Sequence, residues 1–302
     1  MTELSVDTSR VVVVGDALID EIHRDGAIDE FVGGAALNVA IGLSKLGVPT
    51  TLIAMIGDDR DGATIRAFLR EHDVALIPTI GPNGSSRGVS DRKDGEPFYV
   101  FNEAAQARRI EFGADERTAL AAASLVIVSC FPFDDVAQTD ELLGAIPDPR
   151  RQLIVDPNPR ESMMHDVARF RDSFEQVAPL TLLVKVGSDD SEYLYGTTVE
   201  ELSARLLADG TSAVLATAGA RGASVETSQR ISAAEPIAKL PGAVIDTMGA
   251  GDATLASVVQ SIIDEGFPSS AAVWERVLRR AMLIAAATCR SEGALLRMPD
   301  QG

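Results

Sequence analysis

Val11-Val12-Val13-Val14 is an unbroken β-branched run that ends in Gly15-Asp16. A run without polar alternation predicts a strand buried on both faces, and hence a parallel sheet. Similar apolar runs stand at Thr50–Ile56, Val74–Ile80 and Leu125–Ser129, and again at 152–155, 180–186 and 213–216. Between them the period changes. Leu37, Ala40, Ile41, Ser44 and Leu46 recur at near-helical spacing, with Gly47 as a stop. Residues 63–72, 135–143, 199–209 and 273–289 read as further helices. Strands alternating with helices across short loops predict βαβ units with right-handed crossovers. The expected fold class is α/β, a central mostly parallel sheet flanked by helices, in one domain spanning 1–302.

Some stretches break this rhythm. Residues 21–31 mix Ile22, Ile28 and Phe31 with charges and read as a short strand pair or loop. Further on, Gly88-Val89-Ser90-Asp91-Arg92 and Pro97-Phe98-Tyr99-Val100-Phe101 flank Lys93-Asp94-Gly95-Glu96, a hairpin signal. A hairpin inside an α/β chain predicts an inserted sheet. With the earlier stretch it makes a small β lid at about 17–32 and 85–105. Lids exclude water where water competes as an acceptor. Residues 224–238 read as irregular strands.

Composition sets limits around this picture. At 302 residues and 46% hydrophobic content the chain can bury a full core. A net charge of −18 argues against non-specific nucleic-acid binding, which needs a basic surface, but not against a phosphate held at a local anion site. Cys130 and Cys289 lie in apolar surroundings without metal-ligand spacing and read as buried free thiols. No apolar run nears the length of a membrane span, and none follows positive charge at the N-terminus. A cytoplasmic soluble protein without membrane partners is expected. The P-loop pattern and a dinucleotide fingerprint after the first strand are absent, and no metal cage of His or Cys is visible.

Candidate chemistry gathers at the ends of the predicted strands, where ligands of such sheets sit. The β-prone Ala243-Val244-Ile245 runs into Asp246-Thr247-Met248-Gly249-Ala250-Gly251-Asp252, and a helix follows. Strand end, glycine turn and helix start make an anion site, because the first helical amides lack partners and the macrodipole favours negative charge. Asp252 reads either as a base taking the proton of an attacking hydroxyl or as an ordinary helix-start residue. Asp16 reads as an acceptor of ligand hydroxyls or as a turn aspartate. Gly33-Gly34 precedes a helix start and allows a close approach, and Asn38, one turn in, offers both a donor and an acceptor. Asn158 and Arg160 stand at another strand end, where an arginine holds phosphate. Lys185 lies in a strand. Asp189, Asp190 and Glu192 after it suit either a helix start or a Mg²⁺ held through water. Thr217-Ala218-Gly219-Ala220-Arg221-Gly222 is a further glycine turn.

Two of these stretches in this order resemble the ribokinase-like (PfkB) sugar kinase family. One is Gly33-Gly34 with Asn38, Ala40, Gly42, Leu43, Leu46 and Gly47, and the other runs from Asp246 to Asp252. The resemblance covers essentially the whole chain. It implies transfer of the ATP γ-phosphoryl to a sugar hydroxymethyl group, with Mg²⁺ and a monovalent cation such as K⁺ as cofactors. By position, Asp252 resembles the base, and Gly249, Ala250 and Gly251 the anion hole. Asp16, Gly33, Gly34 and Asn38 resemble the sugar-binding set, and Thr217, Gly219 and Gly222 the nucleotide turn. Asp246 and the carbonyl of Met248, with Thr288, Ser291 and Gly293, resemble a monovalent-cation site. Phosphoryl transfer needs positioning and charge neutralisation more than covalent chemistry, and these parts supply both.

The chain departs from the family at two points. Many relatives carry Asn-x-x-Glu after the strand that holds Lys185; here the segment is Gly187-Ser188-Asp189-Asp190, with Asp190 in place of Glu. Met282 stands where relatives often place a polar residue near the nucleotide. Within the family, Gly15-Asp16-Ala17-Leu18-Ile19-Asp20 and Asp156-Pro157-Asn158-Pro159-Arg160 look most like bacterial fructokinases, which would put Arg160 near the phosphates or a phosphorylated product. Ribokinases, keto-deoxygluconate kinases and nucleoside kinases share the frame, and a non-catalytic sensor is the reading of a different class. Phe98, Tyr99, Phe101 and Phe131 are candidates for stacking a nucleoside base. Phe98 and Phe101 are also candidates for packing lid on lid in a homodimer.

Overall fold

Alternate residues of the valine run turn to opposite sides of one sheet, and both sides are buried. The computed structural model describes residues 11–24, 27–93 and 96–299. In chain order its first elements are β1 (Val11–Gly15), β2 (Leu18–Arg24), β3 (Ala27–Gly33), α1 (Ala35–Lys45), β4 (Thr50–Ile56), α2 (Arg60–Glu71) and β5 (Val74–Ile80). Then come β6 (Ser86–Lys93), β7 (Glu96–Phe101), α3 (Glu103–Gln106), α4 (Ala114–Ala122), β8 (Leu125–Ser129), α5 (Val136–Ala145), α6 (Pro149–Gln152) and β9 (Leu153–Asp156). The rest are α7 (Val167–Val177), β10 (Leu183–Gly187), α8 (Ser188–Tyr195), α9 (Val199–Ala208), β11 (Ala213–Thr217), β12 (Ala223–Thr227), β13 (Ser232–Glu235), α10 (Ala250–Glu265) and α11 (Ala271–Thr288).

The main sheet has nine strands in the order β13-β12-β11-β10-β9-β8-β1-β4-β5. Its pairs from β10–β11 to β4–β5 are parallel, and β12 and β13 add antiparallel at one edge. Val11 and Val13 pack with residues of α1, α10 and α11, including Leu37, Ile41, Leu255 and Leu278. Val12 and Val14 pack on the other side with Leu120, Leu142, Phe170 and Leu202 of α4, α5, α7 and α9. Burial on both faces is why the strands read as continuous apolar runs. The register aligns their carboxyl ends: Gly15 pairs with Ser129, Ser129 with Asp156, and Gly187 with Thr217. The polar residues just beyond the strands are thereby brought to one rim.

The two rhythm breaks form a second sheet of four strands in the order β3-β2-β6-β7. Arg87 of β6 ties it to the start of α2: its guanidinium meets Glu21 at 2.8 Å and Glu30 at 2.7 Å, and pairs with Asp61. Asp94 and Gly95 of the expected hairpin turn, and the side chains of Phe98 and Tyr99, lie outside the described residues. Phe101 is buried, 8% exposed, against Leu18, Ala105 and Met163, so it is not a lid surface residue. Among the described residues Ile28, Phe31 and Val100, 61%, 39% and 50% exposed, are the large apolar side chains this sheet offers to solvent. Among the described residues no helix is long and apolar enough to cross a membrane.

Several expectations need correction. Ala243-Val244-Ile245 is not a strand: the segment has no sheet partner among the described residues, and Val244 and Ile245 are exposed. β-propensity alone does not make a strand without a pairing edge. Helix α2 begins at Arg60 rather than 63, because Asp59 caps it by accepting the Gly62 amide at 2.7 Å. At 180–182 the chain ends a 3₁₀ turn and only then enters β10. Helices α4 and α7 fall outside the expected set. Val167–Val177 carries its apolar side chains Phe170, Phe174 and Val177 at helical spacing, behind the Asp166 cap.

Four phenylalanines cluster under α7 in this layer. Phe133 is 0% exposed and meets Phe131, Phe170 and Phe174 with ring centroids 5.4, 5.5 and 6.2 Å away. Phe133→Ala is expected to lower the unfolding free energy by about 3–5 kcal/mol, measured by urea titration. A loss of less than about 1 kcal/mol would mean that the cluster does not anchor α7.

Candidate active site

The site is built around the start of α10. Gly249 caps this helix with φ +74°, and a Cβ there would lie 1.9 Å from the Ala294 carbonyl oxygen. Only glycine fits that backbone. The Ala250 amide donates to the Thr247 carbonyl at 3.3 Å and the Ala253 amide to the Gly249 carbonyl at 2.8 Å. Between them, the amides of Gly251 and Asp252 meet no acceptor among the described residues. A Cβ on Gly251 would lie 3.3 Å from Nζ of Lys185. The lysine ammonium therefore sits against the first helical turn, beside the free amides.

Lys185 is buried in β10, and its Nζ donates to Asp156 Oδ1 at 3.2 Å and lies 3.0 Å from Oδ2. Burial opposes the lysine charge, but the carboxylates of Asp156, Asp190 and Asp252 outweigh it and raise its pKa. Asp252 is also buried, and its Oδ2 accepts a hydrogen bond from Asn38 Nδ2 at 3.0 Å. Burial raises the Asp252 pKa, while Lys185, Asn38 and Arg160 pull it back. The other end of the Asn38 amide, Oδ1, is buried without a partner among the described residues. It faces a site still lacking a donor.

The start of α1 supplies the next wall. Asp16 Oδ1 accepts the Ala36 amide at 2.9 Å and its carbonyl accepts the Leu37 amide at 3.2 Å, so Asp16 caps α1. Gly34, with φ +115°, passes so close that a Cβ would lie 2.7 Å from the Asp16 carbonyl oxygen. A Cβ on Gly33 would lie 2.3 Å from Asp20 Oδ2, and one on Gly88 3.3 Å from Asp20 Oδ1. Asp20 thus occupies space that two glycines leave open, a role that sequence reasoning does not assign to it. The available signal is Asp20 on the same face of β2 as Leu18, across from Gly88 in the register. Burial, then the charge of Asp16, push its pKa up to about 6, with Arg160 opposing.

Arg160 follows Asn158, which turns the chain between two prolines with φ +38°, a conformation asparagine tolerates. Arg160 is exposed, and its guanidinium makes no hydrogen bond or ion pair among the described residues. Desolvation works against its charge, but Cys130, Asp16, Asp252 and Asp190 outweigh that and raise its pKa. The Cys130 thiol is itself pushed up to about 12 by burial.

Towards β11, Asp190 Oδ2 accepts the Gly187 amide at 2.6 Å, which leaves its other oxygen available. Thr217, Gly219 (φ +53°) and Gly222 (φ +99°) form a tight turn closed by the Ala218 amide on the Gly222 carbonyl at 2.9 Å. A Cβ at Gly222 would lie 2.1 Å from the Glu235 carbonyl oxygen. Met282 is 3% exposed and belongs to the core cluster that also holds Leu215 and Val225. On the opposite side, Asp246 Oδ1 accepts the Met248 amide at 2.9 Å and Oδ2 the Gly293 amide at 3.3 Å. Thr288 is further committed: its hydroxyl donates to the Ile284 carbonyl at 2.9 Å, and its carbonyl accepts the Ser291 amide at 3.2 Å. Asp246, Met248, Gly293 and Ala294 share a cleft with Asp20 and Gly33. Among the described residues no three His, Cys, Asp or Glu side chains cluster as a metal cage.

Of the aromatic residues expected near a base, Phe101 and Phe131 do not gather here, and the side chains of Phe98 and Tyr99 lie outside the described residues. Phe131 is 0% exposed in the cluster beneath α7, and Phe101 is buried under the second sheet.

Comparison with known proteins bears on this geometry. The sequence model of the pfkB family carbohydrate kinase matches residues 5–301. A fructokinase of Rhizobium leguminosarum bv. trifolii is 30% identical over 268 residues, covering 83% of this chain and 79% of its own. The structure of the fructokinase of Vibrio cholerae O395 with fructose, ADP and calcium ion has a TM-score of 0.79 at 20% identity, covering 98% of this chain and 97% of that one. A double mutant of it, with fructose, ADP and potassium ion, gives 0.78 at 20% identity, covering 97% and 96%. The fructokinase of Xylella fastidiosa with bound ATP gives 0.76 at 20% identity, covering 95% and 94%.

Asp20 supplies a stability test. Its carboxyl ionises near the ordinary value of 3.8 when unfolded and at about 6 in the fold. Well above 6 it is charged in both states, so the fold bears the whole unfavourable difference; well below 3.8 it is neutral in both and the difference vanishes. Asp20→Asn is therefore expected to raise Tm at about pH 8, with the gain disappearing near pH 3. Thermal melts across pH check this, and a lower Tm for the variant at the alkaline end would contradict it.

Proposed function

The chain belongs to the pfkB family of carbohydrate kinases, phosphotransferases that act on sugar hydroxyls, and from that premise we propose that it phosphorylates a hydroxymethyl group of fructose with ATP. One observation carries the proposal of mechanism: Asp252, bonded to Asn38, stands beside two unpartnered helix amides and the Lys185 ammonium. A base and an anion hole are thus adjacent, as an in-line attack on a phosphoryl group requires. The fructokinase of Rhizobium leguminosarum bv. trifolii, at 30% identity, supports the choice of sugar.

In this reading Asp252 takes the proton of the attacking hydroxyl. Its raised pKa moves it towards the range where a carboxylate serves as a base. Asn38 holds one of its oxygens at 3.0 Å and so sets the direction of the other. The carboxylates of Asp16 and Asp20 and the orphaned Oδ1 of Asn38 take hydrogen bonds from sugar hydroxyls. Gly33 and Gly34 let the sugar lie on the backbone. The amides of Gly251 and Asp252 and the turn Gly249-Ala250-Gly251 receive the negative charge that develops on the transferred group. Arg160, which no carboxylate neutralises at contact distance, meets phosphate from the other side.

ATP with Mg²⁺ supplies the γ-phosphoryl group and a divalent charge. The residues present fit them: Asp190 keeps one oxygen free for a water-mediated contact with the ion, and Thr217, Gly219 and Gly222 offer backbone to the nucleotide. A monovalent cation fits the Asp246 loop, because the donors there are oxygens, one carboxylate and the carbonyls around it, which suit a hard ion. The second sheet acts as the lid, and a homodimer covers its exposed face at Ile28 and Val100.

A keto-deoxygluconate substrate is the second reading, and Arg160 favours it. A guanidinium without a carboxylate partner is suited to a sugar acid. A nucleoside acceptor loses support, since Phe101 and Phe131 are buried.

The test is ADP release with ATP, Mg²⁺ and K⁺ across fructose, ribose, keto-deoxygluconate and adenosine. Fructose is expected to give the highest rate. Asp252→Asn is expected to retain sugar binding by calorimetry and to lose turnover by about 10²- to 10⁴-fold. Near-wild-type turnover of the variant would remove Asp252 from the role of base, and release from keto-deoxygluconate alone would replace fructose as the substrate.

A further inference from the structure

Residues 240–246 reach the active site without support from the sheet. Val244 and Ile245 are 61% and 59% exposed, so apolar burial does little to fix them. The end of α11 holds them instead. The Cys289 carbonyl accepts the amides of Ile245 at 2.8 Å and Asp246 at 3.2 Å. The Arg290 guanidinium adds three more bonds: Nε donates to the Pro241 carbonyl at 2.7 Å, Nη2 to the Leu240 carbonyl at 2.5 Å, and Nη1 to the Ala286 carbonyl at 2.6 Å. One planar cation therefore bridges the incoming segment and the last turn of the helix. The site suits it, because the carboxyl end of a helix favours positive charge. A guanidinium bonded on several sides fixes orientation as well as position, which a rotating ammonium does not.

The cation loop comes directly after this staple. Asp246 spans the amides of Met248 and Gly293, and Gly249 rests on the carbonyl of Ala294. Both contacts require residues 246–249 and 293–294 to keep one fixed relation. We infer that Arg290 is the positioning residue for that relation: it sets the geometry of the monovalent-cation loop while touching neither the cation nor the substrates. The inference rests on the reading of Asp246 as part of a monovalent-cation site.

The experiment compares wild type, Arg290→Ala, Arg290→Lys and Asp246→Asn in full-length protein, titrating KCl at constant ionic strength. Two readouts are taken: the K⁺ concentration for half-maximal ADP release with fructose, and the K⁺-dependent rise in Tm without substrates. Arg290→Ala is expected to need about tenfold more K⁺ for the same activation and the same Tm rise. At saturating K⁺ its fructose KM is expected to equal that of wild type, which general misfolding would not allow. Arg290→Lys, which keeps the charge but not the fork, is expected to fall between the two; it also serves if the alanine variant does not fold. A wild-type K⁺ dependence in both Arg290 variants, with Asp246→Asn impaired, overturns the inference and leaves the cation reading standing. A wild type that responds to K⁺ in neither readout overturns both.

Discussion

The position of one ammonium governs the rest of the site. Lys185 is 5% exposed and bonded to an Asp156 that is 0% exposed, so neither charge can be removed without stranding the other. Breaking such a buried pair costs about 3–5 kcal/mol, because the remaining charge is left uncompensated. The same ammonium lies against the side-chainless face of Gly251, where the start of α10 already favours anions. Two sources of positive potential thus converge within a chain whose net charge is −18. This local inversion reconciles an acidic protein with a polyphosphate ligand. The surrounding carboxylates of Asp16, Asp20, Asp190 and Asp252 are tolerated because Lys185 and Arg160 stand among them.

The parallel sheet makes this convergence possible. Strand register brings Gly15, Ser129, Asp156, Gly187 and Thr217 to one rim, and residues next to those positions become the walls of the site. The helices do the finer placement. Asp16 points where it does because it caps α1, and Asp252 because Gly249 turns the chain into α10. Asn38 and Asp252 then join the two helices across 214 residues of sequence. The second sheet stands at the edge of this arrangement; Leu18, Ile19 and Phe101 bury its inner side, and Arg87 links Glu21 and Glu30 within it to Asp61 of α2.

Much of this is legible in the residues. Continuous valine and isoleucine runs announce strands buried on both faces, and glycines before small-residue helices announce close approach. The misreadings share a cause: each depends on a partner remote in sequence. Ala243-Val244-Ile245 has the propensity of a strand, but β12 and β13 already complete that side of the sheet, and the segment meets the end of α11 instead. Phe131 follows a strand end and looks available to a ligand. Cys130, with φ +51°, turns the chain so that the ring enters the core. Asp20 becomes visible as part of the site only once Gly33 and Gly88 are seen to leave room for it. Met282 sits in the core, as its apolar side chain alone suggests, whatever residue relatives place there.

The bond between Asn38 and Asp252, and the seat of Gly249 on Ala294, also say something about the order in which the molecule is made. Chains are synthesised from the amino end, and their early parts begin to fold first. The wall from Asp16 to Asn38 leaves the ribosome long before Asp252 and the start of α10. The carbonyl of Ala294 that pins the turn into α10 comes later still. A nascent chain can therefore build most of its sheet before Asp252 meets Asn38, and the candidate site is complete only after Ala294 has emerged.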